Sequence, residues 1–438
     1  MSTSSASSQK SYLIPTIIIG VLFFVFGFIT WINSTLIPYL QTACELTAAQ
    51  AILVTFASYI AYVVMAIPSS WVLKFTGFKN GMILGLAIMA IGALVFIPAS
   101  HSRTFGVFLT GLFVMGIGMA LLQTAVNPYI TILGPIDSAA KRISVMGICN
   151  KGAGAIAPLI MGAVLLNGLE AYAPEKLRSL TVTAKNQLLD QLAGKIITPY
   201  IIIAVAFILL AIAIYFSSLP DIKNEEQTNP DHVSKDRKSI FKYPYLWLGV
   251  LTIFLYVGVE VMAGDTIQLY GYKGLHIPIE IVKHYTTFTM LGMLAGYLLG
   301  IVLIPKYISQ AKALKFAAIL GIILSFGVIY APGSYSILCL ALLGFANAPM
   351  WPAIWPLTID GLGKYLKLGS AFLIMGIGGG AILPWVWAKL GETSIGFQNA
   401  FWLLVPCYAF ILFFATIGNK VGKTTGKTIN GTGKATTR

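Results

Sequence analysis

The sequence predicts an all-α membrane protein, with twelve transmembrane helices in two pseudo-symmetric six-helix halves, on three observations. The first is composition. Of 438 residues, 57% are hydrophobic and only 10% charged, where a soluble domain carries roughly 25% charged residues, and the mean hydropathy is +0.83. The second is a repeat: GAGAIAP at 152–158 and GGGAILP at 378–384 each sit in a long apolar segment that follows a basic loop, Lys141-Arg142 in one half and Lys364 and Lys367 in the other. The third is the sorting of charge. With both termini inside, twenty of the 29 Lys and Arg fall on cytoplasmic segments and eight outside, with Lys151 within a span. That bias is the positive-inside rule and sets the orientation.

Taken in order, residues 1–11 form a Ser/Thr/Gln-rich cytoplasmic tail without a small-residue cleavage site, so the apolar stretch behind it reads as a retained helix. Residues 12–219 form the N-terminal bundle, with spans at 14–38, 50–74, 80–99, 105–133, 143–167 and 197–219. Each is long enough to cross a hydrocarbon core of about 30 Å. The longest outer loop, at about 168–196, holds an amphipathic piece around 188–192 that predicts a helix on the surface. The polar stretch 220–243 has no helical apolar face and is a cytoplasmic linker. Residues 244–418 form the C-terminal bundle, with spans at 245–271, 284–305, 313–331, 335–360, 368–390 and 397–418. The Gly/Thr/Lys-rich tail 419–438 is expected to be disordered, its lysines drawn to anionic lipid headgroups. Two Asn-x-Thr sequons, at Asn33 in the first span and Asn430 in the cytoplasmic tail, are both sited where no sugar is attached.

Several function classes fall away. A net charge of +14 would suit a nucleic-acid binder, but the charges are sorted over loops, so no nucleic-acid partner is expected. There is no Walker motif, no GxGxxG after a strand and no Ser/His/Asp set. The four histidines (His101, His232, His276, His284) fall in loops or at helix ends, and Cys44, Cys149, Cys339 and Cys407 show no metal-ligand spacing. No catalytic residue and no metal site are therefore assigned. Two similar halves of six spans are transporter architecture, with the binding site between the halves. An ion gradient or the substrate's own gradient then supplies the free energy.

An ionisable group in hydrocarbon costs at least about 2.5–3.5 kcal/mol on insertion scales, so the few here are candidates. Lys151, nine residues past Arg142, lies about 13 Å further along its helix and suits substrate binding; the alternative is a charge lock between helices, with Glu260 as its partner. Glu260 is the candidate coupling carboxylate, against a structural ion pair. Asp265, further out on the same helix, reads as a solvated helix end. The amides Asn33, Gln123, Asn127, Asn150, Gln268 and Asn347 donate and accept at once, as sugar hydroxyls do; otherwise they are helix-to-helix glue, worth about 0.6 kcal/mol each. Trp351 and Trp355, four apart in MWPAIWP, offer faces for sugar C–H groups, with Pro352 and Pro356 expected to break the helix and free carbonyls to line a cavity. Trp31, Trp385 and Trp387 suit interface belts or packing. Gly152, Gly154 and Pro158, with Gly378, Gly380 and Pro384, are candidates for gating and close helix packing.

These residues resemble the fucose–galactose–glucose symporter branch of the major facilitator superfamily over about residues 12–417. LQTAVNPYITILGP in the fourth span, KLGSAFLIMGIGGGAILP in the eleventh and the extended outer loop closing in ITPY carry the likeness. The resemblance implies a major facilitator fold and alternating access. It also implies import of a monosaccharide (glucose or galactose first; fucose, mannose or N-acetylglucosamine as alternatives) by symport with Na⁺ or H⁺, no other cofactor, and a monomer in the bacterial inner membrane. The chain departs from the pattern where the fucose symporter has an Asp in the first span and a Glu in the fourth: Ser34 and Gln123 stand there. The glutamine is shared with glucose/galactose permeases, as is the seventh-span glutamate at Glu260. The branch's eighth-span Gly-Arg reads Gly296-Tyr297, and the loop after the second span holds Lys74, Gly77 and Lys79 without its Asp. Two coupling schemes follow: a proton on Glu260, or Na⁺ among Ser34, Gln123 and Glu260, which the loss of both acids favours. The alternatives are an uncoupled sugar facilitator, an exporter of amphiphilic small molecules and a sensor that binds sugar without moving it.

Overall fold

The computed structural model describes residues 4–132, 139–217, 219, 239–304, 307–362 and 365–423. Most of the expected linker (220–238) and of the expected disordered tail (424–438) lie outside the described residues. Within them the chain is helical throughout, with no strand. Eleven helical stretches are long and apolar enough to cross a membrane. One of these, Ala48–Ser102, has 55 residues, or about 80 Å at 1.5 Å per residue, against a core of about 30 Å. It therefore crosses twice. The reversal is at Gly77 (φ 74°, ψ 175°), a left-handed backbone that glycine adopts without strain, between the predicted second and third spans.

Four elements depart from regular rods, each for a local reason. The first helix begins at Ser4, inside the segment expected as a tail, and is interrupted after Trp31 before resuming as Asn33–Ala43. There the Ser34 hydroxyl donates to the Trp31 carbonyl at 2.8 Å, and Pro38 has no N–H to offer the Ser34 carbonyl. The tenth span is split into Ser334–Asn347 and Met350–Ile359. Its break is at Pro349, not at Pro352 and Pro356 as expected. Pro352 falls in the first turn of the second piece, where its missing N–H costs nothing, and the helix runs through Pro356. The eleventh span passes from Leu366–Met375 through a tight turn at Gly376–Gly378 into Gly379–Gly391. The seventh, Pro244–Leu269, extends through a wide turn at Tyr270–Gly274.

The amphipathic piece of the outer loop is a helix, Val182–Gly194, that buries Leu189, Leu192 and Ala193. Its C-terminal carbonyls, which lack intrahelical partners, are taken by neighbours. The Tyr39 hydroxyl donates to Leu192 O at 2.6 Å, and the Ser100 hydroxyl to Ala193 O at 2.7 Å. The loop helix is thus clamped over the Tyr39 end of the first span and the Ser100 end of the third.

Burial sorts the helices by position. The seventh span is buried along every residue from Tyr256 to Leu269, as a central helix must be. The sixth, Ile197–Phe216, turns Ile202, Leu209 and Phe216 outward. With Phe316, Ile323 and Val302 likewise exposed, this forms an apolar girdle far beyond what a water-facing surface carries. The chain is a multi-pass integral membrane protein.

Candidate functional site

The two halves meet around Trp31, a wholly buried side chain delivered by the interruption in the first span. Its indole fills the room left by two missing methyl groups. A Cβ at Gly154 of the fifth span would stand 2.4 Å from the ring, and one at Gly264 of the seventh 2.0 Å. Beside it, Lys151 Nζ donates to Glu260 Oε1 at 2.7 Å, with both side chains nearly buried. The same ammonium lies 4.9 Å from the centre of the Trp31 ring, close enough for a cation–π attraction. Lys151 comes from the first half and Glu260 from the second, so the charge lock considered from the sequence is present and joins the halves.

Outward of this pair, in the orientation set by the charges, polar contacts tie the halves together. Thr55 in the second span donates to Asp265 Oδ2 at 3.2 Å. The Gln268 amide faces the Ser34 hydroxyl at 3.4 Å and Thr286 Oγ1 at 3.1 Å. At the rim, Glu392 accepts from the Ala49 N–H at 2.8 Å, and Glu280, itself paired with Lys283, accepts from the Gly168 N–H at 3.2 Å. The halves are closed against each other at the end that holds these contacts. They also touch deeper, where Gly378 takes Val63, Gly380 takes Tyr59, and Gly147 takes the Tyr297 ring.

Asp265 overturns an expectation. It is not a solvated helix end: it is 0% exposed. The seventh helix does not end there but continues to Gly274, and the second span covers its carboxylate. Thr55 and Gly264 went unnoticed because a threonine and a glycine within apolar runs carry no signal until their helix neighbours are known.

The other candidates divide. Ser34, Gln123 and Glu260 have different partners: Ser34 bonds the Trp31 carbonyl, Gln123 donates to the Tyr62 hydroxyl at 2.7 Å, and Glu260 holds Lys151. Asn150 donates to the Phe23 carbonyl at 3.3 Å, a bond between the fifth and first spans. Asn347 is fully buried and accepts from Tyr408 at 2.8 Å, within the second half. Asn33 is buried against a small cavity shared with Ser58, Tyr59 and Tyr62. Asn127, Trp351 and Trp355 are half-buried, and the two indoles stack at 5.4 Å with Tyr256 6.3 Å from Trp351. Among the small residues, Gly154, Gly378 and Gly380 are packing positions, while a Cβ at Gly152 would meet nothing within 4 Å, so close packing is not what Gly152 serves. Pro158 and Pro384 sit inside continuous helices. Trp387 is core, its indole donating to the Phe397 carbonyl at 3.2 Å.

Residues 19–373 match the family model of the Major Facilitator Superfamily. A protein of Brucella abortus named "Glucose/galactose transporter" is 34% identical over 419 residues, covering 95% of this chain and 97% of its own. An Escherichia coli protein named "L-fucose-proton symporter" is 27% identical over 413 residues, 94% of each chain. Among solved structures, the transporter FucP in the outward conformation superposes with a TM-score of 0.73 at 27% identity, over 95% of this chain and 100% of that one.

Proposed function

The chain belongs to the major facilitator superfamily, in the fucose–galactose–glucose:cation symporter family, and from that membership we propose that it imports a hexose by cation symport. It is a transporter rather than an enzyme. Relatives named for glucose and galactose stand beside those named for fucose with a proton, which supports a monosaccharide as cargo, with glucose or galactose first. The observation that carries the mechanism is the interface: halves sealed outward of a buried Lys151–Glu260 pair that spans them. A carrier that alternates access needs contacts on one side of its site that form only while the other side is open.

In this reading the sugar lies inward of the seal. Its ring faces stack on Trp351 and Trp355, and its hydroxyls meet Asn127 and the deeper amides, where a buried donor or acceptor left empty by the wrong sugar is costly. Lys151 and Glu260 hold the halves in register beside the sugar. The protein works as a monomer in a bacterial inner membrane, termini inside, its apolar girdle against lipid.

The test is uptake of a radiolabelled monosaccharide panel into proteoliposomes, with Na⁺ and H⁺ gradients imposed separately. Accumulation above equilibrium under one of the two gradients is expected for glucose or galactose. Equilibration without accumulation under either gradient would make the protein a facilitator and refute symport.

A further inference from the structure

Asp265 is the one described carboxylate of the membrane interior with nothing to balance it. It is 0% exposed. Oδ2 accepts from Thr55 of the opposite half at 3.2 Å, and Oδ1 has no partner. Among the described residues no ion pair reaches it, since Lys151, the basic residue of this interface, is engaged with Glu260. The groups that face it are neutral or acidic: Thr55 and Tyr59 of the second span, and Glu260 on its own helix. Lys389 and Glu392, at the rim of the eleventh span, are exposed to water. Sealing an ionised carboxylate here would strand a charge without a cation and with half its hydrogen-bonding capacity empty, the costliest arrangement a buried group can have.

We propose that Asp265 is the coupling-proton site of the symport, and that the outer side closes only over its neutral acid. This rests on the symport reading above. When the halves part on the outer side, Asp265 loses its Thr55 contact, meets outer water and takes one proton on Oδ1. Loaded with sugar and proton, the halves close as the structure shows them. After the sugar leaves inward, the proton follows toward the Pro244 end of the helix and into inner water, and the ionised carboxylate drives the outer side open again. One proton therefore crosses with each sugar. Glu260 is not part of the proton's route, because Lys151 keeps it as half of a neutral pair.

Two measurements on the reconstituted full-length protein decide this. In proteoliposomes, Asp265→Asn, which keeps an acceptor for Thr55, should lose accumulation driven by an imposed pH gradient, its concentration ratio falling to about one. Sugar counterflow, which needs only the loaded carrier, should stay within about twofold of wild type. Accumulation by Asp265→Asn under a pH gradient, or accumulation by wild type under Na⁺ alone, overturns the proposal while leaving symport intact. The second measurement needs no sugar. With the four native cysteines replaced by serine, Ala49→Cys, buried beneath the outer rim, should react with an impermeant maleimide faster as pH rises, by more than the growth of its own thiolate fraction gives. In the Asp265→Asn background the same cysteine should react more slowly, its rate rising with pH only as that thiolate fraction does. An unchanged pH profile in Asp265→Asn overturns the proposal. If wild type moves no monosaccharide at all, the symport reading falls and the maleimide profile alone decides Asp265.

Discussion

Lys151 and Glu260 each carry a charge into a nearly dry interface, and neither is tolerable there alone. Their 2.7 Å contact offsets two desolvation costs, so removing one partner exposes the full cost of the other, typically about 3–5 kcal/mol for a buried pair. Glu260→Gln and Lys151→Gln should each lower unfolding free energy in detergent by about that amount. The double variant should lie within about 1 kcal/mol of wild type, since no charge is then left stranded. If the two single losses simply add in the double variant, the residues do not act as a pair. Trp31 belongs to the same unit. Its ring is the apolar floor on which the ammonium rests, and it cannot leave without opening the space between Gly154 and Gly264.

At the scale of helices, approach distance separates the glycines that matter from those that do not. A Cβ at Gly379 would stand 1.7 Å from the Phe254 carbonyl oxygen, and one at Gly27 1.8 Å from that of Asn150. Backbone cannot yield as a side-chain tip can, so Gly379→Ala should push the eleventh span off the seventh and sharply reduce the yield of monodisperse protein. Gly152→Ala meets nothing and should stabilise its helix by roughly 0.5–1 kcal/mol, read as a raised melting midpoint. The repeat that joins Gly152 to Gly378 was legible in the letters, as were the apolar spans and the ionisable candidates, because composition and periodicity report depth in a membrane. Which way each helix faces is not written at that level. Hence Asp265 read as a wet helix end, although the chain stays helical to Gly274 and Thr55 covers it. Hence also the tenth-span break fell to the prolines of the MWPAIWP run when Pro349 makes it.

For the whole molecule, the proposed alternating access makes the closed outer side one of at least two states, its stability the sum of contacts that form only there. The Ala49 N–H donates to Glu392 across the rim at 2.8 Å, a bond worth about 0.5–1.5 kcal/mol. Glu392→Ala should shift the balance toward the outward-open form by about two- to tenfold. That shift is measurable as faster labelling of a rim cysteine with no change in the sugars accepted. The interface also has an electrical consequence. Lys151 and Glu260 are opposite charges that travel together, so a voltage across the membrane does almost no net work on them as the halves rock. An unmatched charge would feel about 2.3 kcal/mol for every 100 mV. The field then acts on the cargo and on the Asp265 carboxylate that carries its proton, not on the pair. A neutral sugar crossing with one monovalent cation carries one positive charge inward, and an interior potential of −100 mV multiplies its accumulation about fiftyfold, whether or not the two sides differ in the concentration of that cation.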